Sequence, residues 1–317
     1  MKANSQSSLF TPESKSYNWQ GYECYYEYYP TVNPNIDNDI SLLLIHPIGV
    51  GLSGNFWYRF CQESRENGLN HAIYNPDLIG CGNSDIPKFA YYPQDWAEQL
   101  HYFLQNIIQK PVIVVVQGAL LPVAIALTQL QNKSNSNLIK GLILSGPPAW
   151  RVMNEPSSEK QQKLVWNLFF DSPIGNLFWL YARRRQFIES FSIRQLFAKA
   201  EDVDQNWLDL LETGSKNDQS RYAVYSFLAG FWRQNYMDIM AEISIPTLAV
   251  FGTTASSISR SGFSETPEQR CQLYEKGWKN CQSAIIPGRN VLPYESTSEF
   301  VKIVAKFIRQ LTPNFSD

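Results

Sequence analysis

The sequence predicts an α/β fold: a mostly parallel, doubly wound sheet with an inserted helical cap. Short apolar runs alternate with segments of helical spacing through the first half of the chain, the pattern of βαβ units. The alternation stops at Pro147, resumes after Ser244, and leaves between them a helical stretch crowded with Trp, Phe and Tyr. At 317 residues and 44% hydrophobic, the chain can build one large core and carry an inserted subdomain.

Residues 1–16 are polar and Ser-rich and read as a disordered tail. Residues 17–146 and 245–313 are assigned to the sheet-and-helix core, and residues 147–244 to the cap. Tyr17 to Pro30 is aromatic and roughly alternating, which predicts one or two antiparallel edge strands. Ser41 to Ile45 is a continuous apolar run of the kind buried on both faces of a parallel sheet. It ends in the turn His46-Pro47-Ile48-Gly49-Val50-Gly51.

A helix is predicted over Asn55 to Asn67 and a strand over His71 to Asn75. In Pro93 to Ile108 the spacing of Trp96, Leu100, Phe103, Leu104 and Ile107 predicts a second helix. Pro111 to Val116 is the strongest buried-strand signal, and it runs into an apolar helix, Pro122 to Leu130. Further strands are expected at Leu138 to Ser145, Pro246 to Gly252 and Ala284 to Pro287, with an amphipathic helix at Thr297 to Leu311.

Composition excludes several function classes. A net charge of −2 with mixed signs argues against a nucleic-acid partner. Five dispersed cysteines without CxxC or zinc spacing suit reduced thiols, and with no apolar leader or run of about 18 apolar residues they point to a cytoplasmic protein. No metal or cofactor motif is present.

Four segments resemble the α/β-hydrolase fold superfamily, in its esterase, dehalogenase and epoxide-hydrolase branch. Leu42-Leu43-Leu44-Ile45-His46-Pro47 is similar to its strand and oxyanion loop, and Asn75 to Asp85 to its Pro-Asp-Leu-x-Gly-x-Gly-x-Ser-Asp loop. Ile245 to Gly252 matches the strand before the acid turn, and Ile286-Pro287-Gly288 with Pro293 and Glu295 the turn before the last helix. The resemblance spans about Tyr17 to Leu311. It implies a Ser-Asp/Glu-His triad, with the nucleophile on a strained strand-to-helix turn.

The positions this resemblance assigns hold other residues. Ungapped, Gly118 takes the nucleophile position in Val116-Gln117-Gly118-Ala119-Leu120; sliding the frame by two puts Leu120 there instead. Ala255 falls at the acid and Asn290 at the base, and an amide does not take a proton near neutral pH. Triad members act as a unit whose removal costs a serine protease about a million-fold in turnover. The chain has three histidines, His46, His71 and His101, so none follows the nucleophile strand and the order Ser, Asp, His fails in any register.

Backbone N–H groups of Ile48, Gly49 and Ala119 are the candidates for an oxyanion-type site, and Pro47 there supplies no N–H. His46, Gln117, Ser145 and Trp179 are the pocket candidates. Asp77 and Asp85 read as loop braces, and Ser256, Ser257, Ser259 and Ser261 beside Arg260 as a polar loop. Trp179, Phe187 and Trp232 fill the cap or line an apolar cleft. Arg183-Arg184-Arg185 beside an aromatic stretch suggests contact between the cap and an anionic membrane surface. The expected function is therefore a non-catalytic member that binds an apolar small molecule or a protein partner. The alternative is a hydrolase of ester or acyl substrates with an unconventional site.

Overall fold

The apolar runs close into one eight-stranded sheet. A computed structural model describes residues 11–31, 40–259 and 262–311. The strands are β1 (Glu13–Trp19), β2 (Tyr22–Tyr29), β3 (Ser41–Ile45), β4 (Ile73–Pro76), β5 (Val112–Gln117), β6 (Ile139–Ser145), β7 (Thr247–Gly252) and β8 (Cys281–Ile286), in the spatial order β1-β2-β4-β3-β5-β6-β7-β8. β1 and β2 form an antiparallel hairpin that joins β4 antiparallel, and every other neighbouring pair is parallel.

Both faces of the central strands are buried, which is why they read as continuous apolar runs rather than alternating ones. Leu43, Ile45, Val112, Val114 and Val116 enter one core, while Leu42, Leu44, Ile113 and Val115 enter the other. Helices α1 (Tyr58–Glu66), α2 (Pro93–Phe103) and α3 (Leu121–Lys133) follow β3, β4 and β5. Between β6 and β7 the cap supplies α4 (Trp150–Asn154), α5 (Glu159–Val165), α6 (Pro173–Ala182), α7 (Arg185–Phe191), α8 (Gln205–Gly214), α9 (Arg221–Ala229) and α10 (Met237–Glu242), with no strand among the described residues. The chain closes with α11 (Pro267–Gly277), α12 (Leu292–Glu295) and α13 (Thr297–Leu311).

The fold departs from the sequence reading at three places. Glu13 to Ser16, expected in the disordered tail, pair with Tyr28 to Tyr25 as the start of β1. An edge strand with exposed polar side chains lacks the apolar pattern that betrays an inner one. β8 starts at Cys281 rather than Ala284, for the same reason: Gln282 is exposed and only Ile286 is fully buried. Helix α11 was not expected at all, although its Thr266-Pro267-Glu268-Gln269 start is a capping box with Pro at the first turn. Residues 1–10 of the expected tail, and Arg260 and Ser261 of the expected polar loop, lie outside the described residues.

The loop after β4 is braced by buried polar groups. Asp77 accepts the Gly54 and Asn83 N–H groups at 2.7 and 2.8 Å, and Asp85 accepts that of Glu23 at 2.8 Å. Both aspartates thus hold backbone. Gly82 has φ +58°, and a Cβ there would lie 2.1 Å from Asp77 Oδ2, so the brace requires glycine.

Candidate functional site

β5 is buried over its whole length and ends at Gly118, whose φ of +60° turns the chain abruptly into the helical turn that opens α3. Leu120 has φ −88°. The apex of the turn is Gly118, where an L side chain would carry roughly 1–2 kcal/mol of strain. Space is not what keeps a side chain away: a Cβ there meets only the Gly146 carbonyl oxygen, at 3.9 Å.

Three loops meet beside this apex, and Asn290 ties them. Its Nδ2 donates to the Gln195 carbonyl at 2.7 Å, its Oδ1 accepts the Ser256 N–H at 3.3 Å, and its backbone N–H donates to Leu196. Gln117 Nε2 donates to the Asn290 carbonyl at 2.7 Å. The amide side chain is thereby committed to the cap on one side and the loop after β7 on the other. Ala255 lies in that loop, buried, its N–H on the Gly252 carbonyl.

Above Gly118 opens a cleft of about 380 Å³, roofed by the cap. Ile48, Gln117, Ala119 and Asn290 line it, as do Phe227, Leu228 and Trp232. Among the described lining residues there is no carboxylate, imidazole, thiol, amine or phenol; the titratable groups are the guanidiniums of Arg233 and Arg270.

Several expected pocket residues do not reach this cleft. His46 is fully buried beneath it: Nε2 accepts the Leu78 N–H at 3.1 Å, so Nδ1 carries the proton and donates to the Pro47 carbonyl at 2.8 Å. Burial depresses its pKa to about 4, so it is a neutral brace between two loops. Ser145 is fully buried behind the apex, and its Oγ has no hydrogen-bond partner. Trp179 lies in the core of the cap, edge-on to Tyr225. Gly49 is tucked against Leu52, whose Cδ1 would meet a Cβ at 2.8 Å. Phe187 stacks among cap rings with Tyr181 and Phe191.

Sequence reasoning missed Arg233 and Arg270. The capping box at Thr266 signals the helix that carries Arg270, but no local pattern reveals that a charged residue there turns inward.

A model of the alpha/beta hydrolase family matches residues 42–302 of this sequence. The chain belongs to the alpha/beta hydrolase family. Solved structures agree on the fold. A serine hydrolase involved in carbazole degradation superposes with a TM-score of 0.70 at 15% identity, covering 95% of this chain and 100% of that one. A thermophilic esterase from Thermogutta terrifontis gives 0.67 at 17% identity over 95% and 99%, and a bromoperoxidase from Bacillus anthracis 0.65 at 16% over 94% and 100%. At these identities the likeness is one of fold alone. A search of curated protein sequences finds no match. No helix among the described residues is long and apolar enough to cross a membrane. The five cysteines of this alpha/beta hydrolase are all free thiols.

Proposed function

We propose that this alpha/beta hydrolase binds an apolar small molecule in the cleft above Gly118 and does not hydrolyse it by the family's triad chemistry. The carrying observation is the composition of the cleft wall. Its described residues offer no nucleophilic oxygen or sulfur paired with a proton acceptor, and its two guanidiniums are hydrogen-bond donors without an acceptor atom. Ser256, Ser257 and Ser259 line the cleft, but a hydroxyl without a base is a weak nucleophile. Ile48 and Ala119 line the cleft, and on this reading their backbone N–H groups are the donors that a ligand carbonyl would use.

The test is purified chain against short and medium-chain p-nitrophenyl esters, together with native mass spectrometry of protein taken from its own host. Hydrolysis no faster than buffer, with an apolar molecule carried in the spectrum, is the expected result. Turnover that scales with protein concentration and persists through repeated purification overturns the proposal in favour of an unconventional ester or acyl hydrolase.

A second reading, peripheral membrane contact through the cap, is favoured by a specific observation. Leu164, Leu168, Ile174, Leu177 and Tyr181 on neighbouring cap helices are each more than half exposed. The basic run contributes less than its sequence suggested: Arg183 pairs with Asp218, Arg185 with Asp209 and Glu212, and Arg184 lies beside the Tyr181 ring. Contact of this kind would be apolar in character. Co-sedimentation with phosphatidylcholine vesicles, lost on Leu168→Glu with Leu177→Glu, is its test.

A further inference from the structure

We propose that the molecule bound in the cleft carries an anionic head, a carboxylate or a phosphate ester, held by Arg270. That assignment rests on the cleft being a binding site for a largely apolar ligand, and it names the ligand's polar end.

Arg270 stands in the first turn of α11, 2% exposed, and lines the cleft. Its Nε and Nη2 have no hydrogen-bond partner, and it forms no ion pair among the described residues. The neighbouring carboxylate, Glu265, acts on Arg270 through space but makes no hydrogen bond or ion-pair contact with it, its two oxygens accepting the Trp150 and Arg151 N–H groups at 2.8 Å each. Tyr274, packed beside the guanidinium, gives its hydroxyl proton to the Pro148 carbonyl. A buried cation is strongly unfavourable unless paired, and methionine or leucine would fill the same volume without that penalty. The position in the first turn of a helix adds to the penalty, because the positive end of the helix dipole disfavours a cation there.

Such a residue is a half-built ion pair in the wall of an open volume. Its planar fork of donors matches the two oxygens of a carboxylate or a phosphate. Arg233 lines the same cleft with an unpartnered Nε, while its Nη2 donates to Ser259 Oγ at 3.3 Å. With no carboxylate among the described lining residues, nothing in the cleft competes for these donors. Phe227, Leu228 and Trp232 supply apolar wall for the remainder of the molecule. An amphipathic anion satisfies both parts of the cleft; a neutral hydrocarbon or alcohol leaves the guanidinium unpaired.

Isothermal titration calorimetry on the full chain with dodecanoate, dodecyl phosphate and dodecanol tests this. At least one anion should bind about tenfold or more tightly than the alcohol, the scale of one charge-assisted hydrogen bond, and the better anion identifies the head group. Arg270→Met should abolish the preference of anion over alcohol, and it should melt at or above the wild-type temperature because an unpaired buried charge is removed. Arg270→Gln, smaller and still polar, serves as the second variant and should lose the preference in the same way. Equal binding of alcohol and anions, or a preference that survives both substitutions, overturns the anionic head while leaving an apolar binding cleft in place. Absence of binding by all three probes overturns both.

Discussion

Gly118→Ser separates space from chemistry at the apex of the turn. The substitution returns a hydroxyl to the place where the family's nucleophile is expected. Its Cβ meets one atom within 4 Å, the Gly146 carbonyl oxygen at 3.9 Å, so no overpacking arises. The remaining cost is the left-handed φ of +60°, roughly 1–2 kcal/mol, or a few degrees of melting temperature in a chain of this size. The new hydroxyl is expected to lack a proton acceptor, because Asn290, at the position where the family's base is expected, is an amide whose Nδ2 donates to the Gln195 carbonyl. Intact-mass measurement after exposure to a fluorophosphonate should therefore find Gly118→Ser unlabelled, and Asn290→His alone unlabelled as well. The double variant gains a base beside the hydroxyl and should label faster by a factor on the order of a hundred or more. Labelling of the single Gly118→Ser variant at the rate of the double variant would reveal a proton acceptor in the cleft and refute the reasoning. Destabilisation well above a few kcal/mol would refute the open space at the apex.

Gly82→Ala has nearly the same φ as Gly118→Ser but places its Cβ 2.1 Å from Asp77 Oδ2, so urea denaturation should show a loss of about 3 kcal/mol or more. His46, with a folded pKa of about 4 against an ordinary 6.5, takes up its proton in the unfolded chain first, so its contribution to stability is lost as pH falls from 6.5 towards 4. The stability gap between wild type and His46→Gln should accordingly narrow by about 2–3 kcal/mol between pH 7 and pH 4.5, measured from urea midpoints. The buried Asp77 carboxyl, raised to about 6, runs the opposite way but is common to both proteins and cancels in that difference. Leu168→Glu with Leu177→Glu should remove vesicle binding, and added salt should have little effect, because Arg183 and Arg185 already have carboxylate partners.

The sheet was legible because burial on both faces writes itself into composition: Val112 to Val116 and Leu42 to Ile45 leave few alternatives to inner parallel strands. Edges were less so, since Glu13 to Ser16 and Gln282 point to solvent and carry no apolar pattern. In the site, identity was legible and orientation was not. That Gly118, Ala255 and Asn290 lack catalytic side chains is visible in the letters alone. That His46 faces a carbonyl and an N–H rather than the cleft depends on a rotamer and on β4's loop, more than thirty residues away. Arg270 marks the same limit: an arginine on a helix reads as a solvated face, and only its tertiary setting beside Tyr274 and Glu265 buries it.

One of the residues at the expected triad positions has a bracing role of its own. Asn290 keeps two loops and the cap in register through side-chain and backbone hydrogen bonds to Gln195, Leu196 and Ser256 and through the Gln117 amide. The cleft wall is therefore stiffened at the point where a working hydrolase needs a base free to exchange protons. The hydrogen-bonded Asn290 and a guanidinium with unpartnered donors on the cleft wall are the features on which the proposed binding role rests. Preorganisation of that kind lowers the ordering cost of binding. Asn290→Ala should on that ground weaken dodecanoate binding without touching Arg270, and an unchanged affinity would mean that the loops hold their positions without it.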